Sequence, residues 1–418
     1  MRITTRRGAR GVLATTTALL AVGALVACSG GAAEPGESSG EAWLDELEPR
    51  VLKLADFSGD QTANFGAAMV KWEEAITERT DGKITFENYW SASLLGATDT
   101  LHGVRDGVAD IGLIIPSYYP QELPVGSWIS GLGNALSGST VHDVAAGGAA
   151  AYENALTFEP LVEEYASHNL QVLQVSSSPA YNLLCTTPIE SEADAQGKRG
   201  RSSGPAWTGT LEALGMQSVS LAFNEGYEGL QRGVIDCMVI NPNQLVSGLQ
   251  LKDVVTDFVP VTFAQLQAST FVMNKDVWDS FPVELQQIMH EESGKAALEI
   301  WQGYLDIEAG AGELIAAGDS IRTSDVGELE PIAQAQREGA LKAMVDNAPA
   351  SVSDPDAVIQ EYMDRIDFWT SVLVDEGYEV AERTPEAILE AFAGLGDVDL
   401  SGYFEVFEEE FVSATMPN

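Results

Sequence analysis

Residues 51–115 alternate between strand-like and helix-like patterns, and this alternation constrains the fold more than any other feature of the chain. Strands are predicted at 51–57, 84–89 and 111–115, because each is a short apolar or alternating run bounded by turn residues. Between them, apolar residues recur at helical spacing: Phe65, Met69, Trp72 and Ile76, and then Leu101, Val104 and Val108. A strand–helix–strand–helix–strand order predicts a largely parallel sheet covered by helices, which is an α/β fold.

The first 50 residues have the composition of an export segment rather than of a folded domain. Basic residues, at Arg2, Arg6, Arg7 and Arg10, precede an apolar stretch at 12–26 that runs into Leu25-Val26-Ala27-Cys28. This order is typical of a secretory signal that ends in a lipobox, so residues 1–27 are predicted to be a signal peptide and Cys28 to be lipidated. Residues 28–50 are predicted to form a lipidated flexible stalk, because from Ser29 to about Arg50 the chain consists mainly of Gly, Ala, Ser, Glu and Pro, which cannot bury a core. We therefore expect an extracytoplasmic protein, tethered by its lipid to the outer face of the cytoplasmic membrane and without a transmembrane helix in the mature chain.

The chain is strongly acidic, with 22 basic and 63 acidic residues and a formal net charge of −41. Such a charge repels phosphate backbones and argues against nucleic acid as a partner. It does not exclude a small anion, because physiological salt screens the long-range field within about 8 Å and the local charge of a site then dominates.

One arginine stands in a setting suited to binding a carboxylate. Gly200 and Gly204 flank Arg201, and the run 206–214 that follows is predicted to be a helix, so Arg201 lies where a strand meets the start of a helix. A guanidinium offers a planar fork of donors to a carboxylate, and free amides at a helix N-terminus add to the attraction. An exposed loop arginine is the alternative interpretation of the same residues.

Residues 197–236 resemble the signature of the solute-binding proteins of tripartite ATP-independent periplasmic (TRAP) transporters. Eight residues over forty positions fall in register with that signature: Lys198, Arg201, Glu225, Tyr227, Leu230, Gln231, Gly233 and Asp236. Three further stretches are similar to motifs of the same family: 78–84, 104–111 and 273–282. The likeness therefore extends from about Val51 to at least His290.

The resemblance implies a two-lobed α/β fold of the periplasmic-binding-protein type, similar to its class II, with a cleft between the lobes and a long helix connecting them. On that pattern lobe one takes residues 51–178 and 267–306, and lobe two takes 179–266 and 307–418. The resemblance also implies a monomer that binds a carboxylate-bearing small solute by closure of the lobes and then docks on the TRAP membrane subunits. No cofactor and no catalytic residue are expected.

The same resemblance assigns binding residues to the cleft. Arg201 is expected to pair with the solute carboxylate, and Asn241 resembles a binding asparagine of the family, although one extra residue separates it from Asp236. Tyr181 stands where many carboxylate-binding members carry a second arginine, which favours a monocarboxylate or a less charged solute. Aromatic residues at strand ends or in loops are candidates for the pocket wall: Phe57, Trp90, Tyr118, Tyr119 and Trp207. Each of these aromatics, taken alone, is also typical of a core or surface position.

Cys185 and Cys237 are the two cysteines left once Cys28 is lipidated. Both lie in apolar strand-like runs placed in lobe two, so the sequence allows either a disulfide or two buried thiols. Two cysteines without matching histidine spacing argue against a zinc site, and we expect no metal.

Two other functions are compatible with the sequence. The run 200–204 matches the Gly-x-Ser-x-Gly elbow of a secreted lipoprotein hydrolase, with Ser202 as nucleophile. A triad in that order needs a later histidine, and only His290 follows, where the interlobe helix is expected. Glu225 and Asp236 are interpreted as structural rather than as an acid–base pair. The second alternative keeps the fold and makes the protein a tethered receptor that presents its liganded form to a sensor protein.

Overall fold

The structure, a computed structural model, describes residues 42–136, 140–202, 204–378, 391–392 and 394–418. The predicted signal peptide, Cys28 and the predicted stalk up to residue 41 lie outside these ranges. By compactness the chain divides into two units, residues 1–45 and residues 46–418. In the first unit the structure describes residues 42–45, which form the start of a short helix, α1 (Ala42–Glu46).

Strands are numbered along the chain. They are β1 (Arg50–Ala55), β2 (Ile84–Tyr89), β3 (Ile111–Ile114), β4 (Leu170–Ser176), β5 (Tyr181–Cys185), β6 (Arg199–Ser202), β7 (Gln217–Ser220), β8 (Cys237–Ile240), β9 (Asp257–Phe263), β10 (Ser269–Asn274) and β11 (Arg322–Thr323). The α-helices after α1 are α2 (Asn64–Arg79), α3 (Thr100–Arg105), α4 (Pro124–Ile129), α5 (Thr140–Thr157), α6 (Glu159–Ser167), α7 (Glu192–Ala195), α8 (Pro205–Ala213), α9 (Gly226–Gln231), α10 (Lys275–Asp279), α11 (Val283–Ala317), α12 (Glu330–Ala343), α13 (Pro355–Asp375) and α14 (Ser401–Phe407).

The first sheet has the spatial order β2–β1–β3–β10–β4. β1 pairs in parallel with β2 and with β3, so the parallel start predicted from residues 51–115 is confirmed. The predicted helical spacing corresponds to α2, whose Met69, Trp72 and Ile76 are buried. β10 is antiparallel to both β3 and β4, and it joins this sheet after the chain has formed most of the second one.

The second sheet has the order β11–β9–β5–β8–β6–β7. β6 is parallel to β7 and β8, while β5 is antiparallel to β8 and β9. Cys185 at the end of β5 is the register partner of Cys237 at the start of β8, and a disulfide joins them. The bond therefore links two neighbouring strands in the middle of this sheet.

Three segments join the two halves, which agrees with the expected two-lobed α/β fold. The chain crosses from β4 to β5 at 177–180 and returns from β9 to β10 at 264–268. The third connection is α11, which has 35 residues and so a length of about 52 Å at 1.5 Å per residue. α11 packs against α2 and β4 of the first half and also against the turn at Pro242–Leu245 of the second.

The C-terminal helices pack on the outside of the first sheet's helices. α13 lies along α5. An aromatic cluster joins Trp301 of α11, Trp369 of α13 and Phe407 of α14. The ring centroid of Phe407 lies 5.1 Å from that of Trp301 and 5.4 Å from that of Trp369. Residues 355–375 thus contact α5, which falls in the range assigned to lobe one, although the family resemblance placed them in lobe two. The lobe boundaries themselves stay a prediction. None of the helices within the described ranges combines the length and hydrophobicity that crossing a bilayer requires.

Candidate functional site

A cavity lies between the two sheets, where several strands end. Its wall combines aromatic side chains with uncharged polar ones and contains one basic group. The lining includes Phe57, Ser58, Asn64, Phe65, Ile115 and Tyr118 from the side of the first sheet, Tyr181, Arg201, Phe223, Ile240, Asn241, Asn243 and Gln244 from the side of the second, and Tyr304 and Ile307 from α11. The cavity is narrow, since the volume open to the centres of water-sized molecules is about 60 Å³.

Arg201 is held in this cavity by the strand that carries it. β6 is paired on both sides, with Arg201 opposite Val219 of β7 and Met238 of β8. Gly200 allows a close approach beside it, since a Cβ there would come within 2.4 Å of a terminal methyl group of Leu211 in α8. The strand and the helix can therefore pack closely while the arginine side chain extends to the cleft.

Arg201 as a residue is 1% exposed, and its guanidinium has only neutral hydrogen-bond partners. Its Nε donates to the carbonyl oxygen of Leu221 at 2.9 Å, and its Nη2 donates to the hydroxyl of Tyr118 at 3.4 Å. Among the carboxylates that the structure describes, none forms an ion pair with it. A buried positive charge is thus left without a negative one, in a cavity that can admit a ligand.

Tyr118 comes from the opposite side of the cleft. It ends a single 3-10 turn, Pro116–Tyr118, directly after β3. Its ring lies 6.4 Å from that of Phe57, and Phe57 in turn lies edge-on to Phe223 of the other side at 6.4 Å. Aromatic contacts therefore bridge the cleft next to the arginine.

Tyr181 and Trp207 are stacked, with ring centroids 5.0 Å apart and an interplanar angle of 15°. Tyr181 lines the cavity, whereas Trp207 lines a neighbouring one and donates its indole N–H to the Ala264 carbonyl oxygen at 2.8 Å. Burial raises the pKa of Tyr181, so its hydroxyl stays neutral at physiological pH. Trp207 therefore supports the wall from behind.

Asn241 lies directly after β8, at the start of the turn Pro242–Leu245, and it lines the cavity. Its Oδ1 atom is buried and has no hydrogen-bond partner within the described ranges. A buried acceptor without a donor is costly unless a bound molecule supplies the donor.

The other predicted wall residues have different positions. Phe57 lines the cavity, Tyr119 is buried with its hydroxyl donating to the Ala97 carbonyl oxygen, and Trp90 follows the edge strand β2 outside the lining. Sequence reasoning missed Phe223 and Tyr304. It also missed Asn243 and Gln244, although the polar run after β8 was a usable signal, because strand ends carry ligand contacts in open α/β sheets.

The hydrolase alternative has no support. The Ser202 hydroxyl donates to the Gly204 carbonyl oxygen at 2.9 Å and lies 3.0 Å from that of Thr208. His290 forms its hydrogen bonds elsewhere, because its Nε2 lies 3.0 Å from the Val412 carbonyl oxygen and 3.1 Å from the Thr415 hydroxyl. Burial lowers the pKa of His290. Ser202 therefore lacks the base that a nucleophile requires.

Glu225 and Asp236 have structural contacts. Glu225 accepts a hydrogen bond from the backbone N–H of Ala222 at 3.1 Å. Asp236 accepts both from the backbone N–H and from the side chain of Arg199, and this pairing lowers the pKa of Asp236. Asp236 thereby ties the start of β8 to the strand that carries Arg201.

Comparison with known proteins gives one family and one fold. The family model described as "Bacterial extracellular solute-binding protein, family 7" matches residues 54–349. A solute-binding protein of Roseobacter denitrificans is 26% identical over 223 residues, which are 52% of this chain and 63% of that protein, so the match spans less than two thirds of this relative.

Two solved structures share the architecture over about three quarters of this chain. One is an extracytoplasmic solute receptor of Bordetella pertussis that binds pyroglutamic acid. It has a TM-score of 0.64 at 17% sequence identity, and the match covers 76% of this chain and 99% of the receptor. A TRAP solute-binding protein from a marine metagenome, specific for aromatic acid ligands and crystallised with 3-hydroxybenzoate, has a TM-score of 0.62 at 25% identity and covers 77% of this chain and 99% of its own.

Proposed function

This chain belongs to the bacterial extracellular solute-binding proteins of family 7, the receptors of TRAP transporters, and we propose that it captures a small organic acid with one carboxylate. The family consists of extracytoplasmic receptors and not of enzymes. The bound form would then pass its solute to the TRAP membrane subunits.

The single observation that carries this proposal is the buried guanidinium of Arg201 without a counter-charge. Burying a charge is expensive unless it is paired, so the cleft is more favourable with an anion in it than without one. A carboxylate is the anion whose two oxygens match the fork of a guanidinium.

The rest of the lining supports one carboxylate rather than two. Among the lining residues that the structure describes, Arg201 is the one basic side chain, so a second carboxylate would remain unpaired. The unpartnered Oδ1 of Asn241 calls for a donor on the solute, such as a hydroxyl or an amide N–H. The aromatic walls suit a ring or an apolar body, as in the pyroglutamic acid and 3-hydroxybenzoate bound by the two relatives.

Capture would proceed by closure of the cleft. The solute carboxylate binds Arg201 from one lobe, and Tyr118 and Phe57 of the other lobe cover it. Because contacts with both lobes exist together only in the closed form, the ligand shifts the protein toward closure. No covalent step is needed. A lipid on Cys28 would hold this receptor at the outer face of the cytoplasmic membrane, near the membrane subunits.

A thermal-shift screen that pairs each acid with its uncharged amide tests the proposal. The pairs are 3-hydroxybenzoate with 3-hydroxybenzamide, and pyroglutamate with its carboxamide. We expect at least one acid to raise the melting temperature while its amide at the same concentration does not. An amide that stabilises the protein as well as its acid would refute the carboxylate site.

A further inference from the structure

A short loop, residues 221–225, connects β7 to α9 and contacts the guanidinium of Arg201. The carbonyl oxygen of Leu221 accepts a hydrogen bond from Arg201 Nε at 2.9 Å, which is the usual length of such a bond. Because β7 pairs with β6, this loop leaves the sheet beside the strand that carries the arginine. The position of the loop therefore determines how the guanidinium is oriented.

The contact with Leu221 decides which edge of the guanidinium is open to a carboxylate. A guanidinium can pair with a carboxylate either through Nε and one Nη group or through its two Nη groups. In Arg201 the Nε group already donates to Leu221, and Nη2 has only its long contact with Tyr118. Nη1 has no hydrogen-bond partner among the residues that the structure describes. The edge formed by Nη1 and Nη2 is thus the one that remains for a solute.

The same loop carries an aromatic ring that meets the opposite side of the cleft. Phe223 lines the cavity, and its ring lies edge-on to that of Phe57 with centroids 6.4 Å apart. Phe57 comes shortly after β1 of the first sheet. One loop therefore supplies both the carbonyl group that orients the cation and an aromatic contact between the two sides.

Glu225 is the side chain that fixes this loop. Its carboxylate accepts a hydrogen bond from the backbone N–H of Ala222 at 3.1 Å, and its own backbone N–H donates to the Ala222 carbonyl oxygen at 3.1 Å. Ala222 stands between Leu221 and Phe223, the two residues with contacts in the cleft. Glu225 itself is exposed and does not line the cavity, so its influence on a solute has to pass through the loop.

We propose that Glu225 is a positioning residue of the solute site, which holds the loop 221–225 so that Leu221 retains Arg201 Nε and the solute carboxylate binds end-on to Nη1 and Nη2. This inference rests on the proposed function, since it requires a carboxylate at Arg201. If the loop is loosened, Nε loses its fixed acceptor and the guanidinium can turn. The acid then loses part of a charge-assisted pairing whose strength depends on geometry.

Titration calorimetry with 3-hydroxybenzoate and with pyroglutamate tests the role of Glu225. Glu225→Ala should weaken the binding of the acid about fivefold to tenfold, the effect of losing one hydrogen bond. Glu225→Gln should stay within about twofold of wild type, because its amide oxygen can still accept from Ala222. Glu228→Ala is the matched control, since it removes an exposed carboxylate of α9 that pairs with Arg232, and it should leave the affinity unchanged.

A spectroscopic measurement separates positioning from a general loss of stability. In protein labelled with ¹⁵N-arginine, the Nε–H signal of Arg201 is assigned by its absence from the Arg201→Lys variant. We expect this proton to exchange slowly with water in the wild-type protein, both before and after the acid is added, because Leu221 keeps it. In unliganded Glu225→Ala it should exchange faster.

The outcomes that overturn the proposal are distinct. An unchanged affinity in Glu225→Ala, or an equal loss in Glu225→Gln, would show that the hydrogen bond to Ala222 does not matter. Weaker binding with an unchanged Arg201 Nε–H exchange rate would reduce Glu225 to a merely structural role. A large shift of that signal when the acid is added to wild type would indicate pairing through Nε instead. Failure of both acids to bind the wild-type protein would overturn the proposed function itself.

Discussion

Arg201 Nη2 and the hydroxyl of Tyr118 lie 3.4 Å apart across the cleft, so the buried cation of one side is in contact with the aromatic wall of the other. The contact is long and both partners lack a negative charge, which makes the hydroxyl a group that a carboxylate can displace. This pair therefore connects ligand recognition to the approach of the two lobes.

Replacing Arg201 with alanine should abolish the rise in melting temperature caused by a carboxylate ligand. The lost pairing is buried and charge-assisted, so we expect a loss of about 3–5 kcal/mol in binding free energy. Arg232→Ala provides the control, because it also removes one arginine but from an exposed i,i+4 pair with Glu228. An undiminished thermal shift in Arg201→Ala would remove this residue from the site.

Tyr118→Phe and Tyr118→Ala should have unequal effects on the affinity for 3-hydroxybenzoate. The first removes only a weak hydrogen bond that the carboxylate replaces, so we expect less than about a fivefold change. The second also removes a ring that packs near Phe57, and tenfold or greater weakening is expected. Titration calorimetry distinguishes the two, and equal losses would show that the hydroxyl, not the ring, matters.

Removing the disulfide between Cys185 and Cys237 should destabilise the protein without altering its ligand preference. The bond closes a loop of 52 residues, and the chain-entropy relation gives an upper value of about 4 kcal/mol. Urea denaturation of the Cys185→Ala/Cys237→Ala double variant measures this loss. The wild-type protein denatured with reductant should match the variant, and no difference between oxidised and reduced protein would count against the bond.

Glu73 should make the stability depend on pH. Burial raises the pKa of this carboxyl to about 7 from an ordinary 4.5, even though the side chain of Asn88 donates a hydrogen bond to it at 2.7 Å. The folded protein binds this proton more tightly than the unfolded chain does. The stabilising contribution is therefore complete below about pH 4.5 and is lost as the pH rises through about 7.

Glu73→Gln removes that dependence while keeping an oxygen for Asn88. We expect it to stabilise the protein relative to wild type by about 1–3 kcal/mol at pH 8 and by much less at pH 5, as followed by thermal unfolding. Glu74→Gln, on the exposed face of the same helix, should have a small effect at both pH values. A Glu73→Gln effect of the same size at pH 5 and pH 8 would contradict the assignment.

The sequence predicted the parts of the fold that local pattern controls. The spacing of apolar residues was enough to predict the existence of β1, α2, β2, α3 and β3. The glycines on both sides of Arg201 were enough to predict that this residue lies near the end of a strand. The rest of the site depends on contacts between distant segments. Tyr304 reaches the cavity from α11 and Phe223 from the loop before α9, and neither differs in sequence from a core aromatic.

Other outcomes were set by packing that no local pattern records. Trp207 lies behind Tyr181, where its indole N–H donates a hydrogen bond to the carbonyl oxygen of Ala264. Ala264 belongs to the segment 264–268 that returns to the first sheet. The packing of α13 on α5 joins two helices that lie almost 200 positions apart in the chain. The predicted roles of Arg201, Asn241 and Tyr181 toward a solute remain for the experiments above.

The position of β10 between β3 and β4 has a consequence for biogenesis. The strand that joins β3 to β4 in the first sheet is supplied by residues 269–274, long after its neighbours at 111–114 and 170–176 have been synthesised. A nascent chain that has not yet reached β10 cannot pair β4 with the rest of that sheet. Secretion in an unfolded state is thus compatible with this topology, because the first sheet cannot be completed before residue 274 has been synthesised.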